Sequence, residues 1–355
     1  MKVCFDHQIF SGQERGGIAK YFAQLACLLP TQGCEVVLPF AFTTNRHYFE
    51  FGGKALIGVP HFRGNFRVCN LLNRYRRIGR SRFDVWHATY YDGSVIDRFG
   101  ADRLVSTLHD MTPELMPGEF QVNPHLDKER YARLSKRLIA VSQWTRDDAC
   151  RLYGIDPAKI DVIHHGIDLA DRTTAEIDLP DRFILFVGSR LGYKNFDRLL
   201  LAFARLAARH PDLKLLCVGA QPFSAAEIAR IAELKLGGVL AMRASDAQLR
   251  HVMSRAAALV YPSLYEGFGL PLLEAMAQGC CMAVADASCF PEIAQDAAAY
   301  FDPLDPAAMA DTIDRMLNDL ALRKRLIGRG TARVKDFSLT SMLANTAKTY
   351  RAAMD

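Results

Sequence analysis

The chain lacks any apolar run near the about 18–20 residues that a membrane-crossing helix needs. Its opening, MKVCFDHQIF, meets Asp6 and His7 almost at once, so no secretory leader is expected. None of its nine cysteines forms a CxxC pair, which removes zinc ribbons and dithiol redox centres. Most lie in apolar runs such as KLLCVG and read as reduced core residues of a cytosolic protein. The serine-hydrolase GxSxG, the zinc-peptidase HExxH and the P-loop are all missing. No repeat and no low-complexity segment is visible. The adjacent His164 and His165 do not make a metal pair, because neighbours on an extended segment point opposite ways.

What remains is a folded, soluble composition in which 50% of 355 residues are apolar and 23% charged, long enough for two domains. The net charge of +5 is uneven: Arg63 to Phe83 holds seven arginines and no acid. That stretch is either a solvated helix face or a contact for an anionic surface, such as membrane headgroups or an acidic lipid-linked substrate. With no recognised nucleic-acid module elsewhere, nucleic acid is not an expected partner.

Short apolar strands alternate with amphipathic helices. KVCFDH, CEVVLPF, DVWHATY, RLVSTLHD and RLIAVSQ read as strands of a first half that DVIHHGID closes, with GGIAKYFAQLACLLPTQG as a helix stopped by Gly33. RFILFVG, LKLLCVGA, GGVLAM, ALVYPS and CCMAVADA repeat the pattern in a second half, with helices at FDRLLLAFARLAARH, DAQLRHVMSRAA and LPLLEAMAQ. Continuous apolar strands are buried on both faces, and their alternation with helices predicts a doubly wound parallel α/β sheet in each half. The polar segment Leu169 to Arg182 reads as the linker, and DFSLTSMLANTAKTYRAAMD as a final helix. Such sheets bind ligands outside the carboxyl ends of their strands, so a cleft with one ligand per half is expected.

The chemistry gathers in YEGFGLPLLEAM. Gly267 and Gly269 let the backbone approach a ligand, and the helix starting near Pro271 offers free N–H groups to a phosphate. Glu274, one turn in, could reach ribose hydroxyls, and Glu266 could face a second sugar on the other side of the phosphate. Alternatively, Glu274 is a favourable helix-start acid and Glu266 a loop charge. In SRLGYKN, Arg190 and Lys194 could hold a diphosphate and neutralise it as it leaves, or be solvated surface cations. Gly16 and Gly17 open a helix after the first strand, as a second anion site or a plain cap; this is not the GxGxxG of dinucleotide folds. His109, before Asp110 in LHDMTP, could hydrogen-bond a sugar, or be a satisfied structural histidine.

E-G-F-G-L-P-L-L-E resembles the E-x7-E signature of retaining glycosyltransferases with the GT-B fold, family 4. The GGIAKY loop, LHDMTP, AVSQWT, VIHHGID, FVGSRLGYKN and ASDAQL extend the resemblance over the whole chain. The opening FDHQIF and the YKNFDRLL run are most similar to bacterial mannosyltransferases of O-antigen and other surface polysaccharides. The resemblance implies two Rossmann-like domains facing each other across a cleft. Residues 1–170 would take the acceptor and 171–338 the nucleotide-sugar, with the last helix, about 339–355, packing back on the first. It makes Glu266 the acid near the reacting centre, Glu274 the ribose ligand, Arg190 and Lys194 the diphosphate pair, and His109 a donor-sugar contact. Gly16 and Gly17 become the loop that closes on the donor phosphate. The amides of Gly267, Phe268, Gly269 and Leu270 would bind phosphate, and the base would lie near Ala241, Met242 and Ser245. Acceptor residues stay unassigned. Where the family often has Asn-Gly, this chain has His165-Gly166, a change expected to affect hinge contacts and leave the chemistry alone.

The reaction so implied moves a hexose, mannose from GDP-mannose in the first instance, to a sugar hydroxyl of a glycan or lipid-linked acceptor with retention. No DxD motif is present, so neither metal nor other cofactor is expected beyond the nucleotide-sugar itself. The protein would be cytoplasmic, with its arginine-rich segment touching the inner membrane face. A UDP-sugar donor, a nucleotide-sugar 2-epimerase and an inactive nucleotide-sugar-binding partner are the alternatives.

Overall fold

The computed structural model describes the chain except for residues 63, 75–82, 121, 122, 124, 172, 191 and 220, and gives only the backbone of Arg74. Arg63 and residues 75–82, which hold five of the seven arginines of the basic stretch, therefore lie outside the described residues. Among those described, no helix is long and apolar enough to cross a membrane.

The chain divides into two units. The first holds Met1–Leu115, Phe120–Gly166 and Leu339–Asp355; the second holds Met116–Glu119 and Ile167–Ser338. The division falls at Gly166 rather than after residue 170, for a local reason. The Ile167 amide donates to the Phe337 carbonyl at 2.9 Å, which commits Ile167 to the second unit. The Gly166 amide instead meets the Met342 sulfur at 3.2 Å and stays with the first.

In the first unit, β1 (Lys2–Phe5), β2 (Glu35–Val37), β5 (Val85–Ala88), β6 (Leu104–Leu108), β7 (Arg137–Ala140) and β8 (Ile160–Val162) form one sheet, while β3 (Phe42–Thr43) and β4 (Ile57–Gly58) pair separately. The main sheet runs β2-β1-β5-β6-β7-β8 with every pairing parallel. Strand period sends Val3, Phe5 and Val85 to one core, shared with the helix Gly17–Leu28. Cys4, Trp86 and Ala88 go to another, shared with Val95, Ile96 and Tyr131. The final helix, Leu339–Ala352, adds Met342, Leu343, Ala347 and Tyr350 to the first of these cores.

The second unit repeats the plan with β9 (Phe183–Val187), β10 (Lys214–Val218), β11 (Val239–Met242), β12 (Ala258–Tyr261), β13 (Met282–Ala285) and β14 (Ala299–Phe301). Its order is β11-β10-β9-β12-β13-β14, again all parallel. Each half is thus the doubly wound sheet expected. All nine cysteines are unpaired; Cys27 and Cys150 are partly exposed and the rest are buried.

One polar chain threads the first core. His87 is fully buried, with Nδ1 2.7 Å from the Tyr350 hydroxyl and Nε2 2.8 Å from Thr107 Oγ1. Burial pushes its imidazole down to about 3. His165 is likewise driven to about 3, first by burial and then by His164. Both stay neutral in the fold where the unfolded chain takes up protons, below about pH 6.5. Stability should therefore fall as pH drops from there toward 3, each group contributing up to about 1.4 kcal/mol per pH unit. Midpoints of thermal unfolding followed from neutral to acid pH should show this fall. His87→Gln should flatten it, and an unchanged slope would mean that His87 does not carry the effect.

Candidate active site

The second sheet reverses its winding between β9 and β12, which are hydrogen-bonded neighbours with Ile184 opposite Ala258 and Leu185 opposite Leu259. Loops leaving two such strands part in opposite directions and open a crevice at their carboxyl ends. The loop after β9 carries Arg190 and Lys194; the loop after β12 carries Glu266. Topology alone therefore brings these two loops to one place.

Hydrogen bonds then stitch them together. The Leu264 amide donates to the Tyr193 carbonyl at 2.8 Å. Asn195, in a left-handed conformation at φ 61°, donates its side-chain amide to the carbonyls of Pro262 at 3.0 Å and Pro303 at 2.7 Å. Between these ties the Lys194 ammonium donates to Glu266 Oε1. Ser263 Oγ donates to the same oxygen at 2.8 Å, and the Glu266 amide donates to Ser288 Oγ at 3.2 Å. The two charged side chains are only 13% and 14% exposed, so solvent screens their attraction little. Burial, reinforced by the Glu266 carboxylate, pushes the neighbouring Tyr261 phenol well above its usual range. The arrangement is a fixed acid beside a fixed cation, with a neutral phenol behind them.

Gly269 caps the helix Leu270–Ala277 at φ 86°. A Cβ there would lie 3.2 Å from Phe290 and 3.3 Å from Tyr261, so only glycine fits the turn. With no side-chain cap, the helix start is open to an anion. Glu274 lies beyond the first turn and is half-buried. The Phe268 ring is buried and packs edge-on to Phe337 at 5.9 Å.

Arg190 is placed differently from Lys194. Its Nε donates to Glu227 at 2.6 Å and its Nη2 to the carbonyls of Gln221 and Pro222 at 3.1 and 2.7 Å, with the Phe223 ring 4.9 Å away. Burial opposes the charge on Glu227, but Arg190 and Ser224 outweigh it and hold the carboxyl below its usual range. The two expected cations are thus held by different acids. Ala241 and Met242 end the edge strand β11, and Ser245 caps the helix Asp246–Arg255 in a reciprocal box with Gln248.

In the first unit, Gly16 at φ 142° caps the helix Gly17–Leu28, and Gln13 Oε1 accepts from the Ala19 amide at 2.9 Å. One donor of that helix start is therefore already satisfied. One turn on, the Tyr21 ring stands edge-on to His109 at 5.3 Å. His109 follows β6, is 8% exposed, and its Nε2 has no hydrogen-bond partner among the described residues. Burial, then His165 and His87, hold its imidazole well below the usual range, so it is neutral. His165, expected from the sequence to affect hinge contacts, lies against this histidine: the two rings are 6.0 Å apart with planes within 7°. Fully buried Lys128 pins the same loop by donating to the Asp110 carbonyl at 2.7 Å and Glu114 at 2.8 Å.

Sequence reasoning missed Asn195, Ser263, Glu227 and Lys128. Only Glu227 had a readable signal, the S-x-x-E of Ser224-Ala-Ala-Glu227 that announces a capping box.

Comparison with known proteins adds relatives to this geometry. Residues 169–333 match the model of Glycosyl transferases group 1, and residues 15–171 that of Glycosyltransferase Family 4. The O-antigen chain mannosyltransferase RfbU of Salmonella typhimurium is 26% identical over 75% of this chain and 77% of its own. The O-antigen chain mannosyltransferase B of Escherichia coli is 28% identical over 70% of each chain. The crystal structure of Anabaena Alr3699/HepE in complex with UDP and glucose superposes with a TM-score of 0.75, covering 99% of this chain and 100% of that one, at 21% identity.

The buried pair makes a prediction that needs no ligand. Lys194→Met leaves Glu266 buried without its cation and should cost roughly 2–4 kcal/mol in urea unfolding. Glu266→Gln keeps an acceptor for Ser263 and should cost less. Losses that simply add in the Lys194→Met/Glu266→Gln double variant would mean that the two charges are not coupled.

Proposed function

Because the chain belongs to the GT-B glycosyltransferases, with a family 4 first half and a group 1 second half, we propose that it is a retaining mannosyltransferase using GDP-mannose. The acceptor in this reading is a sugar hydroxyl of a lipid-linked glycan in surface-polysaccharide synthesis. The observation that carries the reading is the Lys194–Glu266 pair set beside an uncapped helix start at the winding reversal. The two O-antigen mannosyltransferases among its relatives favour the hexose.

In this mechanism the amides of Gly267 to Leu270 take the diphosphate, and Glu274 takes the ribose hydroxyls. Glu266 faces the sugar, and Lys194 turns its charge toward the diphosphate as it departs. Arg190, steadied by Glu227, adds positive potential from the far side of the loop. The bond from the anomeric carbon to the diphosphate breaks, and a bond to the acceptor oxygen forms on the same face. The acceptor's proton passes to the departing phosphate oxygen, so no covalent enzyme intermediate and no metal are required. His109 offers its buried Nε2 to a sugar hydroxyl. A UDP-sugar donor is the second reading, favoured by the structural neighbour that binds UDP and glucose.

Thermal shift in the presence of a chelator, against GDP, UDP, ADP, dTDP and their sugars, tests the donor. GDP and GDP-mannose should raise the midpoint, by about 2.7 kcal/mol of stabilisation at a hundredfold excess over Kd, and Glu274→Ala should abolish the shift. A UDP-selective shift would replace the donor, and no shift with any nucleotide would overturn the site.

The lipid-linked acceptor has separate support. The helix Asn65–Arg74 buries Asn65, Cys69 and Asn73 and exposes Phe66, Arg67, Val68, Leu71 and Leu72, with Phe62 exposed just before it. Apolar side chains mixed with arginine suit the interface of an anionic bilayer at the inner membrane face. Phosphatidylglycerol vesicles should pellet the protein at low salt, and Phe66→Ser with Leu71→Ser should weaken this without changing the nucleotide-induced shift. Indifference of the wild type to such vesicles would remove the membrane contact from the proposal.

A further inference from the structure

His109 and His165 come from different strand ends, after β6 and after β8, yet their rings lie nearly parallel 6.0 Å apart. Tyr21 stands edge-on to both, at 5.3 and 5.1 Å. Phe22 closes a further side of His109 at 5.9 Å. The two histidines are 8% and 6% exposed. An imidazole turns easily about its last side-chain bond, because that torsion has no sharp wells. The direction of His109 Nε2 is therefore set by the rings around it and not by its backbone. Tyr21 is itself anchored, its hydroxyl 3.1 Å from Thr107 Oγ1, which His87 Nε2 also meets at 2.8 Å.

We infer that His165 is a positioning residue for glycosyl transfer: its ring fixes the plane of His109 so that Nε2 meets a hydroxyl of the reacting sugars. This rests on the transferase reading above and extends it to a residue outside the E-x7-E machinery. A buried nitrogen with no protein partner has lost its water without replacement, a cost that a ligand hydroxyl can recover. A neutral imidazole nitrogen either donates or accepts, and a hydroxyl can answer in both senses. The stacking ring must hold that nitrogen on line to within a fraction of an ångström for the contact to persist through the reaction. A side chain lacking a ring, such as asparagine, cannot supply the parallel face.

The experiment is a double-mutant cycle on the full-length protein. The readout is nucleoside diphosphate release from GDP-mannose and UDP-glucose, with water and methyl hexosides as acceptors. His165→Asn should lower kcat about tenfold while donor KM stays within about twofold, and His165→Phe, which keeps a flat ring, should restore most of the rate. The double variant His109→Ala/His165→Asn should be no slower than His109→Ala alone, since His165 acts through His109. Losses that multiply, or a His165→Asn variant as fast as wild type, would overturn the inference while leaving the transferase reading standing. A wild-type protein that releases nucleotide from neither donor and binds neither would remove both. Midpoints measured on each variant separate loss of rate from loss of folded protein.

Discussion

A lysine and a glutamate from two different strand ends share one oxygen-lined corner because the second sheet changes its winding between β9 and β12. Everything else at that edge serves to keep them there. Asn195 and Leu264 tie loop to loop through backbone carbonyls, and these bonds do not fade in salt. Ser263 donates to the oxygen of Glu266 that Lys194 also meets, and Ser288 accepts from the Glu266 backbone amide. A largely buried ion pair is weak evidence for stability, since two charges lose their water. Its value is orientation: an acid and a base already desolvated and aimed need little reorganisation when a charged ligand arrives.

The first unit uses the opposite electrostatic strategy. His87, His109 and His165 are buried and neutral, and hydrogen bonds and ring contacts hold them. A neutral imidazole can serve a neutral partner such as a sugar hydroxyl. The charged corner of the second unit suits a diphosphate. Each unit thus carries the polarity that its proposed share of the substrates requires.

Much of this was legible in the residues. Runs such as ALVY and MAVA, buried at every position, announce parallel strands, and Gly33 in its left-handed turn ends its helix as its type suggests. The glycine turn of the E-G-F-G loop and the strand-end places of Lys194 and His109 were readable from the residue pattern. The ties made by Asn195 and Ser263 were not, because an amide or hydroxyl reaching a distant carbonyl or carboxylate leaves no periodic trace. The company of Arg190 was not legible, since nothing local says that Glu227, 37 residues later, will hold its Nε. The contact of His165 with His109 was not legible either, because the rule of alternating directions does not say what an inward neighbour meets.

The final helix gives the chain a discontinuous first unit, in which Met342, Leu343, Ala347 and Tyr350 complete a core begun by Val3 and Phe5. A ribosome delivers those partners more than three hundred residues apart. Residues 167–338 have all their strands in hand before the last helix is made, so the second unit is free to close first. Until Tyr350 reaches His87, the core that the sheet shares with the helix Gly17–Leu28 lacks the side chains of the last helix. The nascent protein therefore passes through a period in which its first half is the less finished one, and that is when a chaperone has most to hold.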